Sequence, residues 1–272
     1  MHQMDQQINH HRVITERPGK NLSYKVLGVR VDAVQIPDVV NQIECWIGER
    51  RRSHYIAVTG MHGVSEAQED RSFKTILNSA DLVVPDGTPL VWLGRLHGFS
   101  LKRRVYGPEL MLAFFGQPSC RRYRHFFYGG TPGLAEELAK TLCARFPGSQ
   151  VVGTYSPPFR LLTAEEKREV VELINRTRPD VVWVGLSTPK QERWMHEYRG
   201  EIQVPVMVGV GAAFDLNSGS KKQAPVWMRE HGLEWFFRLL HEPRRLWRRY
   251  LVHGPRFVTN AILEVLGLKT FE

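Results

Sequence analysis

The chain has 272 residues, 42% of them hydrophobic, enough to bury the core of one large α/β domain or of one domain with an appendage. Its net charge of +9 calls for an anionic partner and leaves phosphate, nucleic acid and an acidic membrane all open. Cys45, Cys120 and Cys143 have no paired spacing and the eleven histidines no HExxH, so a cytosolic protein without disulfides, metal or cofactor is expected.

Residues 1–20 are polar and read as a disordered lead rather than a signal peptide. No apolar run reaches the roughly 20 residues that a bilayer span needs, so any membrane contact is expected to be peripheral. Beyond the lead, strands are predicted over residues 25–31, 55–59, 82–84, 125–128, 150–153, 181–185 and 204–210. Helices are predicted over 37–49, with Val39, Val40, Ile43 and Trp46 on one face, and over 135–146, 163–177 and 189–198. Thr163 and Glu166 form a capping-box pattern. This alternation predicts an α/β fold, a Rossmann-like parallel sheet over residues 21–224.

Several strand ends carry residues that suit chemistry, each with a plainer alternative. Pro85-Asp86-Gly87 puts a carboxylate where open α/β sheets bind ligands, yet the same triplet is a common turn and Asp can cap the next helix. Thr59, before Gly60, offers a hydroxyl to a phosphate or sugar, or simply satisfies its own turn. Ser187-Thr188-Pro189 opens a helix whose free N–H groups suit a phosphate, with Lys190, Gln191 and Glu192 in its first turn; capped helices without a ligand look the same. Gly129 lies in a glycine-rich turn, and Asp215 follows Gly209-Val210-Gly211 without matching GxGxxG. Several such turns on one sheet edge together favour a nucleotide site.

From residue 225 onward only helical patterns are visible, forming a predicted appendage over 225–272. Residues 238–256 hold six arginines, Arg238, Arg244, Arg245, Arg248, Arg249 and Arg256, against one acid, Glu242. Trp235, Phe236, Phe237, Trp247 and Tyr250 are interleaved with them, a composition that suits a helix lying in a membrane interface. Solvated charge or a nucleic-acid footprint are the alternatives, although no helix-turn-helix, zinc-finger or RNP pattern supports the latter.

Taken together, NSADLVVPDG (78–87), RVYGPELM (104–111), RPDVVWVGLSTPKQERW (178–194), GVGAAFD (209–215) and APVWMREHGLEWFFRLLHEPRRLWRR (224–249) resemble the WecG/TagA/CpsF family of glycosyltransferases, glycosyltransferase family 26. The resemblance spans roughly residues 24–255. It implies an inverting, metal-free transfer from a UDP-sugar donor to a polyprenyl-diphosphate-linked (undecaprenyl) acceptor, at the inner face of the cell membrane. It further implies Asp86 as general base, Thr59 as its helper, Arg104 and Gln191 in the same pocket, and Asp215 near the nucleotide. Gly129, Lys190 and Glu192 join the donor-side candidates, and Arg238, Arg245 and Arg248 would face the diphosphates. Two departures stand out: Met61 holds the place of the family's Asn in Thr-x-Asn, and Pro157-Pro158-Phe159 replaces Gly-Tyr-Phe. They leave the donor open between N-acetylmannosamine, glucose and another hexose. Oligomeric state, a homo-oligomer included, is open too.

Overall fold

Two sheets organise the chain in the computed structural model, which describes residues 22–271; the lead predicted over 1–20 lies outside them. The first sheet is a hairpin, β1 (Ser23–Val26) paired antiparallel with β2 (Val29–Asp32). This corrects the single strand predicted over 25–31. Leu27 and Gly28 take left-handed φ values of +50° and +75°, the pair of positive values that a tight two-residue hairpin turn requires. The Leu27 N–H is held by the Glu264 carboxylate at 2.9 and 3.1 Å.

The second sheet has six parallel strands in the order β4–β3–β8–β7–β5–β6. They are β3 (His54–Thr59), β4 (Leu82–Pro85), β5 (Arg124–Gly129), β6 (Gln150–Tyr155), β7 (Val181–Gly185) and β8 (Val206–Gly209). The central strands are buried on both faces, which explains why they read as continuous apolar runs. Along β3, Tyr55 and Ala57 enter one core and Ile56 and Val58 the other; along β7, Val182 and Val184 oppose Val181 and Trp183 in the same way.

One face is covered by α1 (Ile36–Glu49), α5 (Gly107–Phe115), α6 (Leu134–Arg145) and α9 (Ala213–Asn217). The other is covered by α2 (Met61–Glu69), α3 (Arg71–Asn78), α4 (Thr88–Leu96), α7 (Ala164–Thr177) and α8 (Lys190–Tyr198). Thr163 and Glu166 close the capping box expected at the start of α7.

Beyond Pro225 the described residues form only helices: α10 (Val226–Glu230), α11 (Glu234–His241), α12 (Pro243–Trp247), a π-helical turn (Arg248–His253) and α13 (Gly254–Val265). Pro243 starts α12, as its ring dictates, after a break at Glu242. The last helix folds back on the sheet, with Phe257 and Ala261 buried in the same core as β3 and β7.

Gly129 ends β5 at φ +130°, and a Cβ there would lie 2.6 Å from the Gly185 carbonyl carbon and oxygen. Only glycine lets the two strand ends approach so closely. Gly129→Ala is therefore expected to cost about 2–4 kcal/mol, combining backbone strain with overpacking. Thermal unfolding followed by circular dichroism checks this; an unchanged Tm would refute the packing account.

Candidate active site

Because the sheet is wholly parallel, every strand delivers its C-terminal end to one edge, where open α/β sheets bind ligands. Asp86 follows β4 and Thr59 ends β3. The Asp86 N–H donates to the Thr59 carbonyl at 2.8 Å, and the Val105 N–H donates to the Pro85 carbonyl at 2.8 Å, bringing Arg104 to the same corner. Asp86 Oδ1 and Thr59 Oγ1 are both buried without a hydrogen-bond partner. Orphan polar atoms of this kind are rare in folded proteins and concentrate where a ligand completes the set.

Burial pushes the Asp86 carboxyl up to about 7. Arg104, Arg249 and Arg238 pull against that shift, and Glu234 reinforces it. Arg104 is itself engaged: it pairs with Glu234, whose other carboxylate oxygen accepts from the Tyr106 hydroxyl at 2.8 Å, and its guanidinium lies 4.0 Å over the Tyr106 ring. Burial and the Glu234 carboxylate drive the Tyr106 phenol well above its ordinary value, so it stays a donor.

The β7–α8 turn brings a second group. Ser187 takes φ +64°, and Thr188 Oγ1 donates to Glu192 Oε1 at 2.8 Å. Gln191 Nε2 donates to the same oxygen at 3.1 Å, while its Oε1 accepts the Gly211 N–H at 3.0 Å, tying the ends of β7 and β8 together. Glu192 Oε2 is buried without a partner, and burial raises its carboxyl. Thr59 and Thr188 both crowd Gly63, where a Cβ would stand 2.2 Å from Thr59 Oγ1 and 3.5 Å from Thr188 Cγ2, so the two groups adjoin. Lys190 is exposed on the first residue of α8.

Asp215 opens onto a cleft of about 300 Å³ that it shares with Ala212, Phe237 and Arg238. Lys221 stands 3.5 Å from Asp215 and 3.3 Å from Glu242, bridging α9 to the C-terminal helices. Arg238 is the one of the three candidate diphosphate arginines that lines this cleft. Arg245 is exposed and pairs with Glu242 at 2.5 Å, and Arg248 is exposed. Arg249 turns inward instead, its Nε buried without a hydrogen-bond partner and its charge felt at Asp86.

Arg249, Glu234 and Tyr106 are the site residues that sequence reasoning missed. Glu234 lies four residues before Arg238, where the arginine-rich stretch begins. An acid among so many aromatics and arginines is itself a signal of a buried ion pair. His62 is a fourth: burial, with Arg249 and His253 nearby, holds its imidazole down at about 3 and hence neutral.

Comparison with known proteins places the whole of this chain's sheet and C-terminal helices in one family. Residues 24–270 match the model of the glycosyl transferase WecG/TagA/CpsF family. An N-acetylglucosaminyldiphosphoundecaprenol N-acetyl-beta-D-mannosaminyltransferase of Bacillus spizizenii is 32% identical over 228 residues, 84% of this chain and 86% of its own length. Its Bacillus subtilis counterpart is 32% identical over 205 residues, 75% and 77% of the two chains. The Staphylococcus aureus MW2 counterpart is 27% identical over 224 residues, 82% and 86%. The chain thus belongs to the WecG/TagA/CpsF family of glycosyltransferases.

Proposed function

We propose that this chain is an inverting enzyme that moves a hexose or N-acetylhexosamine from a UDP-sugar to a polyprenyl-diphosphate-linked sugar, in the synthesis of a surface polysaccharide. The observation that carries the reading is a buried, unpartnered carboxylate at Asp86 beside an unpartnered Thr59 hydroxyl, flanked by arginines. In the reaction, Asp86 takes the proton of the acceptor hydroxyl as that oxygen bonds to the sugar's anomeric carbon. The carbon–oxygen bond to UDP breaks on the opposite face, and UDP leaves with the electron pair. Thr59 positions the attacking hydroxyl. Arg104, Arg238 and Arg249 offset the charge gathering on the leaving diphosphate. Gln191, with Glu192, shapes the floor of the donor pocket, and Asp215 bounds its nucleotide end. Gly129 acts there through backbone packing, and Lys190 from the rim. The 300 Å³ cleft beside Asp215 and Arg238 supports a nucleotide on that side.

Residues 225–272 serve in this reading as a membrane-facing appendage on a core of residues 21–224. Among the described residues no helix is long and apolar enough to cross a membrane. Of their eighteen exposed large hydrophobic side chains, thirteen lie beyond Pro225, which supports contact with a bilayer through these helices at its cytoplasmic surface. Arg245 and Arg248, exposed among them, would meet phosphates from the acceptor side.

A panel of UDP-sugars with a short-chain lipid-diphosphate acceptor, read by product mass, is expected to give one transferred sugar. The absence of product with every UDP-sugar would refute the reading. Asp86→Asn is expected to lower turnover by roughly two orders of magnitude or more while UDP binding holds. In the wild type, kcat/KM should climb as pH rises through about 7, where the base ionises, and this limb should vanish in the variant.

The same shift has a stability consequence. A carboxyl raised above its unfolded value makes the folded state bind more protons between the two values, so stability falls as pH rises from about 4 to about 7. Asp86→Asn should therefore unfold at a higher temperature than the wild type above pH 7, the difference closing below about pH 4. Equal Tm values at pH 8 would show that Asp86 is not held in a costly environment.

A further inference from the structure

A second cleft, of about 150 Å³, lies on the other side of Asp86 between α4 and α10. Five cations line it, Arg95, Lys102, Arg103, Arg104 and Arg229, against one acid, Glu109. Arg104 pairs with Glu234, and Arg229 with Glu109 at 2.6 Å. Arg95 instead donates to the backbone carbonyls of Leu101 and Lys102, at 2.7 and 2.8 Å, pinning that loop against α4. Lys102 and Arg103 are thereby held at the exposed mouth. The wall they face is apolar. Trp92 and Val226 line the cleft and are each 57% exposed. Leu96, one helical turn beyond Trp92 on α4, is 70% exposed, and Trp227 follows Val226 at 58%.

Rings and aliphatic side chains left in water beside a ring of cations form an unfavourable surface for an isolated soluble protein. They suit the boundary of an anionic bilayer, where indole sits at headgroup depth and Lys or Arg meets lipid phosphate. Gly232 locks this arrangement, since a Cβ there would press the Thr88 hydroxyl at 3.3 Å and loosen the seat of the C-terminal helices on α4. The cleft also runs up to the corner that holds Asp86, because Arg104 belongs to both.

We infer that the cleft between α4 and α10 is a second membrane-docking surface, in which core residues Trp92 and Leu96 enter the headgroup layer while Lys102 engages anionic phospholipid. It rests on the bilayer contact proposed for the C-terminal helices and adds a contact from the core. Two points of attachment would fix the protein's tilt and turn the Asp86 corner towards the surface where a lipid-linked acceptor lies.

Sedimentation of the full chain with vesicles tests this without any transfer reaction, using phosphatidylcholine alone and phosphatidylcholine with phosphatidylglycerol. Trp92→Ala with Leu96→Ala should weaken binding to both kinds of vesicle, by about tenfold for the loss of two buried apolar groups. Lys102→Glu should weaken binding about tenfold on the anionic vesicles alone. All three residues lie at the surface, and an unchanged unfolding midpoint verifies that each variant is folded. Inorganic phosphate at millimolar concentration should not displace the wild type, whereas displacement at constant ionic strength would make the cleft a free-phosphate site and overturn the inference. Wild-type binding by both variants also overturns it. If Trp235→Ala with Phe236→Ala then still lowers binding, the C-terminal contact survives alone; a wild type that binds neither vesicle overturns both.

Discussion

A carboxylate out of reach of water can be ionised near neutral pH only while cations stand close to it, and the architecture around Asp86 is arranged about that requirement. Arg104 comes from the neighbouring loop, but its pairing with Glu234 cancels much of its field. Arg249 and Arg238, more than 150 residues further along the chain, add to what Arg104 leaves. The proposed base at the end of β4 thus depends in part on helices after the last strand. In their absence it would stay protonated at a pH where the proposed reaction needs it free. Removing the carboxylate relieves the same burden, so the group that would serve the proposed chemistry is one that folding alone would discard.

The parallel sheet converts this local demand into a site. Strand ends from four separate stretches arrive at one edge, and the Thr59–Asp86 and Gln191–Gly211 hydrogen bonds stitch them pairwise. The orphan atoms left over, Asp86 Oδ1, Thr59 Oγ1, Glu192 Oε2 and Arg249 Nε, are two acceptors, a hydroxyl and a cationic donor. Such a set can take a proton from one substrate group and give hydrogen bonds to another.

The central parallel strands were legible because burial on both faces writes a continuous apolar run, and the start of α7 because a capping box has local chemistry. The hairpin was not legible. Its turn hides inside an apolar stretch, and Leu27 takes a left-handed conformation with its N–H held by Glu264, 237 residues away. The strand-end candidates were legible as a group, since a parallel sheet allows only one edge for all of them. The arginine facing inward was not. A seven-residue spacing from Arg238 to Arg245 aligns two side chains only on an unbroken helix, whereas the chain breaks at Glu242 and then widens into a π-helical turn over Arg248–His253. A widened turn changes which residue faces the sheet. Here that residue is Arg249.

The C-terminal helices also resist treatment as a detachable unit. Phe257 and Ala261 on α13 are buried in the core that β3 and β7 share, and Glu264 holds the hairpin turn. Losing a buried phenylalanine side chain alone costs about 3–5 kcal/mol, against a total stability of about 5–15 kcal/mol for a typical domain. Cutting the chain near Pro225 would therefore strip the sheet of core packing along with its cations and exposed rings. A truncated protein without activity could not distinguish a lost membrane contact from a damaged fold. The division of labour within the segment follows from burial: α13 belongs to the core, whereas α11, α12 and the π-helical turn carry Arg238 and Arg249 inward and Trp235, Phe236, Leu240 and Trp247 outward. One short stretch of chain can reach a buried carboxylate and still offer its outer rings to the proposed bilayer contact because α13, behind it, is anchored in the core.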